Sequence, residues 1–204
     1  MELSCCHLKK LQLIKEYIFR KNKLMDAVFQ NDIGRVNRLI KSGVNIDYKS
    51  YYNWEGASPL MLACYKGYYE IVKILINNGA DVNFTDNYKR TPFYNAIIDI
   101  NLQKKNSNVI KILELLIQHG AKKKNIVTSD GRTPLLEAIN EGDSQIVRFL
   151  LQHGLLNLDI DKEIESGWFS GESIIKLAQN KPIITKFLIW YNNPINSAFY
   201  YPDN

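Results

Sequence analysis

Six side chains in this sequence are of types that ordinarily carry nucleophilic, acid–base or metal chemistry: Cys5, Cys6, His7, Cys64, His119 and His153. Catalysis needs a nucleophile activated by a neighbour, or an acid and a base within reach of each other. The spacing of these six offers neither. His119 and His153 each precede a glycine, Gly120 and Gly154, at the close of an apolar helical run. A shared position implies a shared structural cause, a partly cationic ring at a helix C-terminus where the backbone dipole favours it. Cys5-Cys6-His7 has no second ligand pair to complete a tetrahedral zinc site, and Cys64, beside Ala63 in a helical pattern, reads as packing. Gly131 and Gly142 belong to no glycine-rich run leading into Lys-Ser or Lys-Thr, as a phosphate cradle requires. The expectation is a non-enzymatic chain with no cofactor and no metal.

A chain of 204 residues, 46% of them hydrophobic, suffices for one buried core. Three cysteines, two of them adjacent, make no disulfide framework and fit a reducing compartment. Lys9, Lys10, Lys15 and Glu16 interrupt the N-terminal segment, so no secretion signal is expected in it, and no run approaches the ~18 apolar residues of a membrane span. A cytoplasmic protein is expected. The net charge of +5 is divided among patches: Lys9, Lys10, Lys15, Arg20, Lys21 and Lys23 near the start, Lys122 to Lys124, and an acidic stretch from 155 to 172. Nucleic-acid binders concentrate their cations in one stripe with aromatic partners, so nucleic acid is a disfavoured partner.

Gly43, Gly79, Gly120 and Gly154 each end an apolar run, at spacings of 36, 41 and 34. Removing three extra residues between Asp47 and Gly56, eight between Ile100 and Val109, and one between Lys124 and Gly131 leaves 33 in each case. Within that period Ala27, Ala63, Ala96, Ala138 and Ala178 share one position, where a small side chain lets helices approach closely. Val36 and Leu39, Ile71, Val72 and Leu75, Ile112, Leu113 and Leu116, and Ile146, Val147 and Leu150 follow at helical spacing. Ser58-Pro59, Thr91-Pro92 and Thr133-Pro134 place a hydroxyl at an N-cap and proline in the first turn, and Gly67 and Gly142 break between paired helices. Each unit is thus two short helices.

This pattern resembles the ankyrin-repeat family, whose 33-residue unit is a β-turn and two antiparallel helices with a Thr-Pro-Leu-His-x-Ala start. The resemblance covers residues 22 to 192 and is closest over 58 to 83 and 133 to 154. It implies an all-α solenoid of stacked helix-turn-helix units joined by β-turn loops. The units are read as 22–47, 48–83, 84–124, 125–158 and 159–193, the first and last being degenerate caps with a polar outer face. The family histidine is replaced by Met25, Met61, Tyr94, Leu136 and Lys176, so packing is expected to take over from its hydrogen-bond network. Residues 1–21 hold an amphipathic helix over 8 to 20, read as a cap over the first unit in preference to a membrane-surface helix. Cys5 and Cys6 beside it are read as free thiols rather than acylation sites. Residues 194–204 form a tail, and the insertion from Leu102 to Asn108 is expected to lengthen the third helix pair.

In the resembling family, loop tips and first helices line a concave groove on which partner proteins dock. That placement selects Tyr51, Tyr52 and Trp54 from the first tip, Tyr65, Lys66 and Tyr68 from the next helix and its turn, Tyr88, Lys89 and Arg90 from the second tip, and Trp168 and Phe169 from the acidic loop. Tyrosine, tryptophan and arginine supply most interface hot spots, because they combine large buried area with a polar handle. An equal reading is packing beneath the enlarged loop for Trp54 and covering the edge of the last unit for Trp168.

The function implied is a monomeric module that binds one protein. A composition rich in Asn, Lys, Ile and Tyr adds the reading of a host-directed effector acting in a host cell's cytoplasm. The alternatives are an immunity protein that neutralises a toxin, a targeting subunit, and a membrane-associated or nucleic-acid-binding adaptor.

Overall fold

The computed structural model describes residues 23–50, 55–98, 108–122, 127–154 and 173–192. Ten helices lie among them: α1 (Lys23–Phe29), α2 (Ile33–Lys41), α3 (Pro59–Tyr65), α4 (Tyr69–Asn77), α5 (Pro92–Asn95), α6 (Val109–Gln118), α7 (Pro134–Glu141), α8 (Ser144–Gln152), α9 (Ile174–Leu177) and α10 (Pro182–Asn192). They stack as two layers. First helices pack on first helices (α1 on α3, α3 on α5, α7 on α9) and second helices on second helices (α2 on α4, α4 on α6, α8 on α10).

Local chemistry sets each start. The hydroxyls of Ser58, Thr91, Thr133 and Ser173 accept from backbone N–H groups three residues on, at 3.2 to 3.3 Å, which satisfies a donor that the helix cannot. Asp32 and Asp143 cap α2 and α8 in the same way. Gly43, Gly79, Gly120 and Gly154, just past the second helices, have φ between 74° and 88°, a left-handed turn that suits a residue without a Cβ.

The five register alanines are fully buried and belong to one hydrophobic core that runs from Leu24 to Leu188. The close approach that requires them is therefore repeated along the stack. His119 and His153 are the C-cap residues of α6 and α8, and the His153 ring packs on Phe149 with centroids 4.3 Å apart. Cys64 is buried, and that burial pushes its thiol far above the ordinary range, so it is an inert packing group.

Side-chain bridges lock successive units. The Asp47 carboxylate accepts from the Asp81 backbone N–H at 3.0 Å. One unit later Asn83 Oδ1 accepts from the Lys122 N–H at 2.7 Å, while Asn83 Nδ2 donates to the Gly120 carbonyl at 3.1 Å. Asp47 lies four residues past Gly43 and Asn83 four past Gly79, so one period position does the same work twice.

Several expectations change. At the family's histidine position Met25, Met61 and Leu136 are buried by packing, whereas Lys176 is exposed and Tyr94 makes a new hydrogen bond described below. The first helix of the third pair, α5, has 4 residues where α3 has 7 and α7 has 8; the insertion expected to lengthen this pair, apart from Asn108, lies outside the described residues. Where a polar outer face is expected on the last unit, the described residues of α10 include exposed apolar ones. Ile183, Ile189 and Trp190 are exposed on α10, where α8 carries Gln145, Leu151 and Gln152; Leu151 is buried in the stack, and no later unit among the described residues covers Ile189 in that way. The expected cap helix over 8 to 20, Cys5, Cys6, the loop from 155 to 172 and the tail lie outside the described residues.

Candidate functional site

The second and third loop tips are small hairpins built on one plan. In the second tip, Asp86 Oδ1 accepts from the backbone N–H groups of Tyr88 (2.9 Å) and Arg90 (2.8 Å), and the Asp86 N–H returns a bond to the Arg90 carbonyl. The short side chain of an aspartate can close a turn this way because it mimics a backbone acceptor. In the third tip Thr128 takes that place, its hydroxyl accepting from the Arg132 N–H at 2.9 Å. Tips also join one another: the Asn87 N–H donates to the Glu55 carbonyl and the Ser129 N–H to the Tyr88 carbonyl. Lys89, at φ 60°, stands where the neighbouring tips have Gly56 and Gly131 at φ 89° and 79°.

Side chains fix the tips further. Arg90 bridges two carboxylates, pairing through Nε with Asp86 and through Nη2 with Glu55 at 2.8 Å. Tyr88 donates its phenol to Glu55 at 3.1 Å, and the Arg90 guanidinium lies 4.9 Å from the centre of the Tyr88 ring. Burial opposes the charge on Arg90, but Asp86 and Glu55 outweigh it and hold its pKa above the ordinary value. The hydrogen bond to Glu55 likewise raises the Tyr88 phenol.

One unit on, Arg132 repeats the bridge, with Nε 2.9 Å from Asp130 and Nη1 3.0 Å from Glu137 Oε1. The same Glu137 oxygen accepts from the Tyr94 phenol at 2.8 Å. Glu137 is only 3% exposed, so a buried carboxylate here is held by one neutral and one charged donor. Burial first, and the charge of Glu137 second, push the Tyr94 phenol well above its ordinary pKa.

Together these groups enclose a hollow of about 330 Å³ on the side formed by tips and first helices. Glu55, Asp130, Glu137 and Glu141 line it with carboxylates, Arg90 and Arg132 with guanidiniums, and Tyr88, Tyr94, Ile98 and Asn140 complete its wall. The arrangement offers charged and aromatic contacts in fixed positions, which suits recognition.

The expected contact residues divide into groups. Tyr88, Lys89 and Arg90 stand together at the second tip, with Tyr88 43% exposed. Tyr65, Lys66 and Tyr68 lie at the other end of α3, in the turn between paired helices. There Lys66 Nζ sits 5.0 Å from the Phe29 ring centre and 5.6 Å from that of Tyr65, and Tyr68 packs partly against the core. A seven-residue helix is about 10 Å long, enough to separate these groups. Tyr51, Tyr52, Trp54, Trp168 and Phe169 lie outside the described residues. Sequence reasoning missed Glu55, Tyr94, Asp130, Arg132, Glu137, Asn140 and Glu141. One signal for them was present: Arg90 and Arg132 both stand directly before Thr-Pro.

Among the described residues no helix is long and apolar enough to cross a membrane. The family model for ankyrin repeats (3 copies) matches residues 24–113 and 103–197. The chain is 28% identical over 140 residues to human ankyrin repeat, SAM and basic leucine zipper domain-containing protein 1, covering 69% of this chain and 27% of that protein. It is 32% identical over 135 residues to a putative ankyrin repeat protein of fowlpox virus (strain NVSL), covering 66% of this chain and 37% of the viral one. The chain thus spans well under half the length of these relatives. Ankyrin repeats are in general protein–protein interaction modules without enzymatic activity. The 33-residue period, the capped helix pairs, the stacked alanines and the family match over residues 24–197 make this chain a member of the ankyrin-repeat family.

Proposed function

We propose that this chain is a monomeric, non-enzymatic binding module that takes one partner protein on the concave face formed by its first helices and loop tips. The observation that carries this is the Glu55–Tyr88–Arg90 platform beside the hollow. An exposed aromatic and an arginine are the side chains most often found at interface hot spots. Here both are already fixed by a carboxylate, so little side-chain freedom is lost on binding. The ten residues lining the hollow come from three successive tips, from two first helices and from the turn after one of them, so a partner seated there touches several repeat units at once. Partner contact through Tyr51, Tyr52, Trp54, Trp168 and Phe169 extends the same proposal.

The finer reading is a host-directed effector in a host cell's cytoplasm. It is supported by the composition and by the similarity to a poxvirus ankyrin protein.

The test is affinity capture from the native setting with the full chain and two variants. Tyr88→Ala with Arg90→Ala should lose the partner and keep the helical circular-dichroism signal. Lys111→Ala, on an exposed position of α6, should retain it. Equal capture by all three would refute the docking face.

A further inference from the structure

We propose that the hollow between the second and third tips receives a cationic side chain, arginine or lysine, from the partner polypeptide. This rests on the docking reading above and adds the chemistry of the contact.

Charge is the first argument. The chain as a whole carries +5, yet the hollow presents four carboxylates (Glu55, Asp130, Glu137 and Glu141) against two guanidiniums (Arg90 and Arg132). Both guanidiniums already bridge carboxylates, Arg90 to Asp86 and Glu55 and Arg132 to Asp130 and Glu137, which makes them poor receptors for an anion. Each carboxylate oxygen carries two lone pairs, so these acids can accept a further donor while keeping their present ones. Local reversal of charge selects for a basic group and against an acidic one.

Shape is the second. A hollow of about 330 Å³ lies at the small end of ligand sites and suits one long side chain. Ile98 and the Tyr94 ring provide apolar wall for a methylene stem, while buried Glu137 places a carboxylate where solvent screening is weak. Long cationic side chains bind in this divided manner, stem on apolar surface and head on charge.

The experiment titrates isotopically labelled full chain with blocked Gly-Arg-Gly, Gly-Lys-Gly and Gly-Glu-Gly, following backbone amide signals by NMR. The cationic peptides should shift the signals of Asp130, Arg132, Asn140 and Glu141 in a saturable way, and the acidic peptide should not. Asp130→Asn and Glu141→Gln should each weaken that response by about three- to fivefold, the size of one exposed ion pair, with amide signals elsewhere unchanged. Salt at about 0.5 M should weaken it further. Saturable binding of Gly-Glu-Gly at the hollow, or no saturable shift there with either cationic peptide, would overturn the inference. Because the peptides need no partner, such a failure leaves the docking face standing if Tyr88 still governs capture; loss of that dependence would remove the docking face itself.

Discussion

The phenol of Tyr94 donates a 2.8 Å hydrogen bond to Glu137 Oε1 across 43 residues of sequence. It ties the first helix of the third unit to that of the fourth, at the position where the family places histidine. Tyr94→Phe removes this bond and leaves a buried carboxylate with Arg132 as its remaining described donor. A loss of about 1–2 kcal/mol in unfolding free energy is expected from urea titration, with the helical signal unchanged before the transition.

The same contact predicts an alkaline limb. Burial, then the charge of Glu137, hold the Tyr94 phenol protonated in the fold, whereas an unfolded tyrosine releases its proton near pH 10. Above about pH 10 the unfolded state binds fewer protons than the folded one, so stability falls as pH rises and is unaffected by this group below that range. Urea midpoints from pH 8 to 11 should decline, and Tyr94→Phe should decline less steeply. An equal slope in the two proteins would mean that the phenol ionises freely.

Asn95 is 6% exposed, and its Oδ1 has no hydrogen-bond partner among the described residues. The equivalent position one unit earlier is Leu62, 1% exposed. An unsatisfied buried acceptor costs about 1–3 kcal/mol, so Asn95→Leu should stabilise the protein by about 1 kcal/mol and raise Tm by about 2–4 °C. A lower Tm would show that the amide has a partner after all.

Two glycines with the same backbone handedness separate strain from crowding. Gly79 has φ 88° and open space where a Cβ would project, whereas a Cβ on Gly56, at φ 89°, would meet Asn87 Oδ1 at 2.7 Å and Lys49 Cε at 2.6 Å. Gly79→Ala should cost about 1 kcal/mol, from the left-handed backbone alone. Gly56→Ala should cost more, and should also loosen the Asn87–Glu55 junction between tips, seen as faster amide exchange at Asn87.

What was legible in the sequence is what the stack imposes on every unit. Ala63 and Ala138 obey one packing constraint, Thr91 and Thr133 one capping constraint, and the period exposes both. The hollow was not legible because its bonds join different positions of different units. Arg90 reaches Glu55 across 35 residues, and Tyr94 reaches Glu137 across 43, neither a multiple of 33. Tyr94 showed in sequence only as a departure from histidine, its hydroxyl indistinguishable from a packing residue's ornament. Tyr65 and Tyr68 shared a residue type with Tyr88, but the length of α3 carries them to the turn between paired helices. Their place on that helix and its turn was legible, but not that about 10 Å of helix parts them from the tips.

The most direct test of the docking face is site-specific photo-cross-linking in the native setting, with a photoreactive residue at Tyr88 on the second tip or at Lys73, an exposed position on the second helix α4. The account predicts a discrete cross-linked partner from position 88 and none of that mass from position 73. A partner cross-linked from position 73 and absent from position 88 would contradict it.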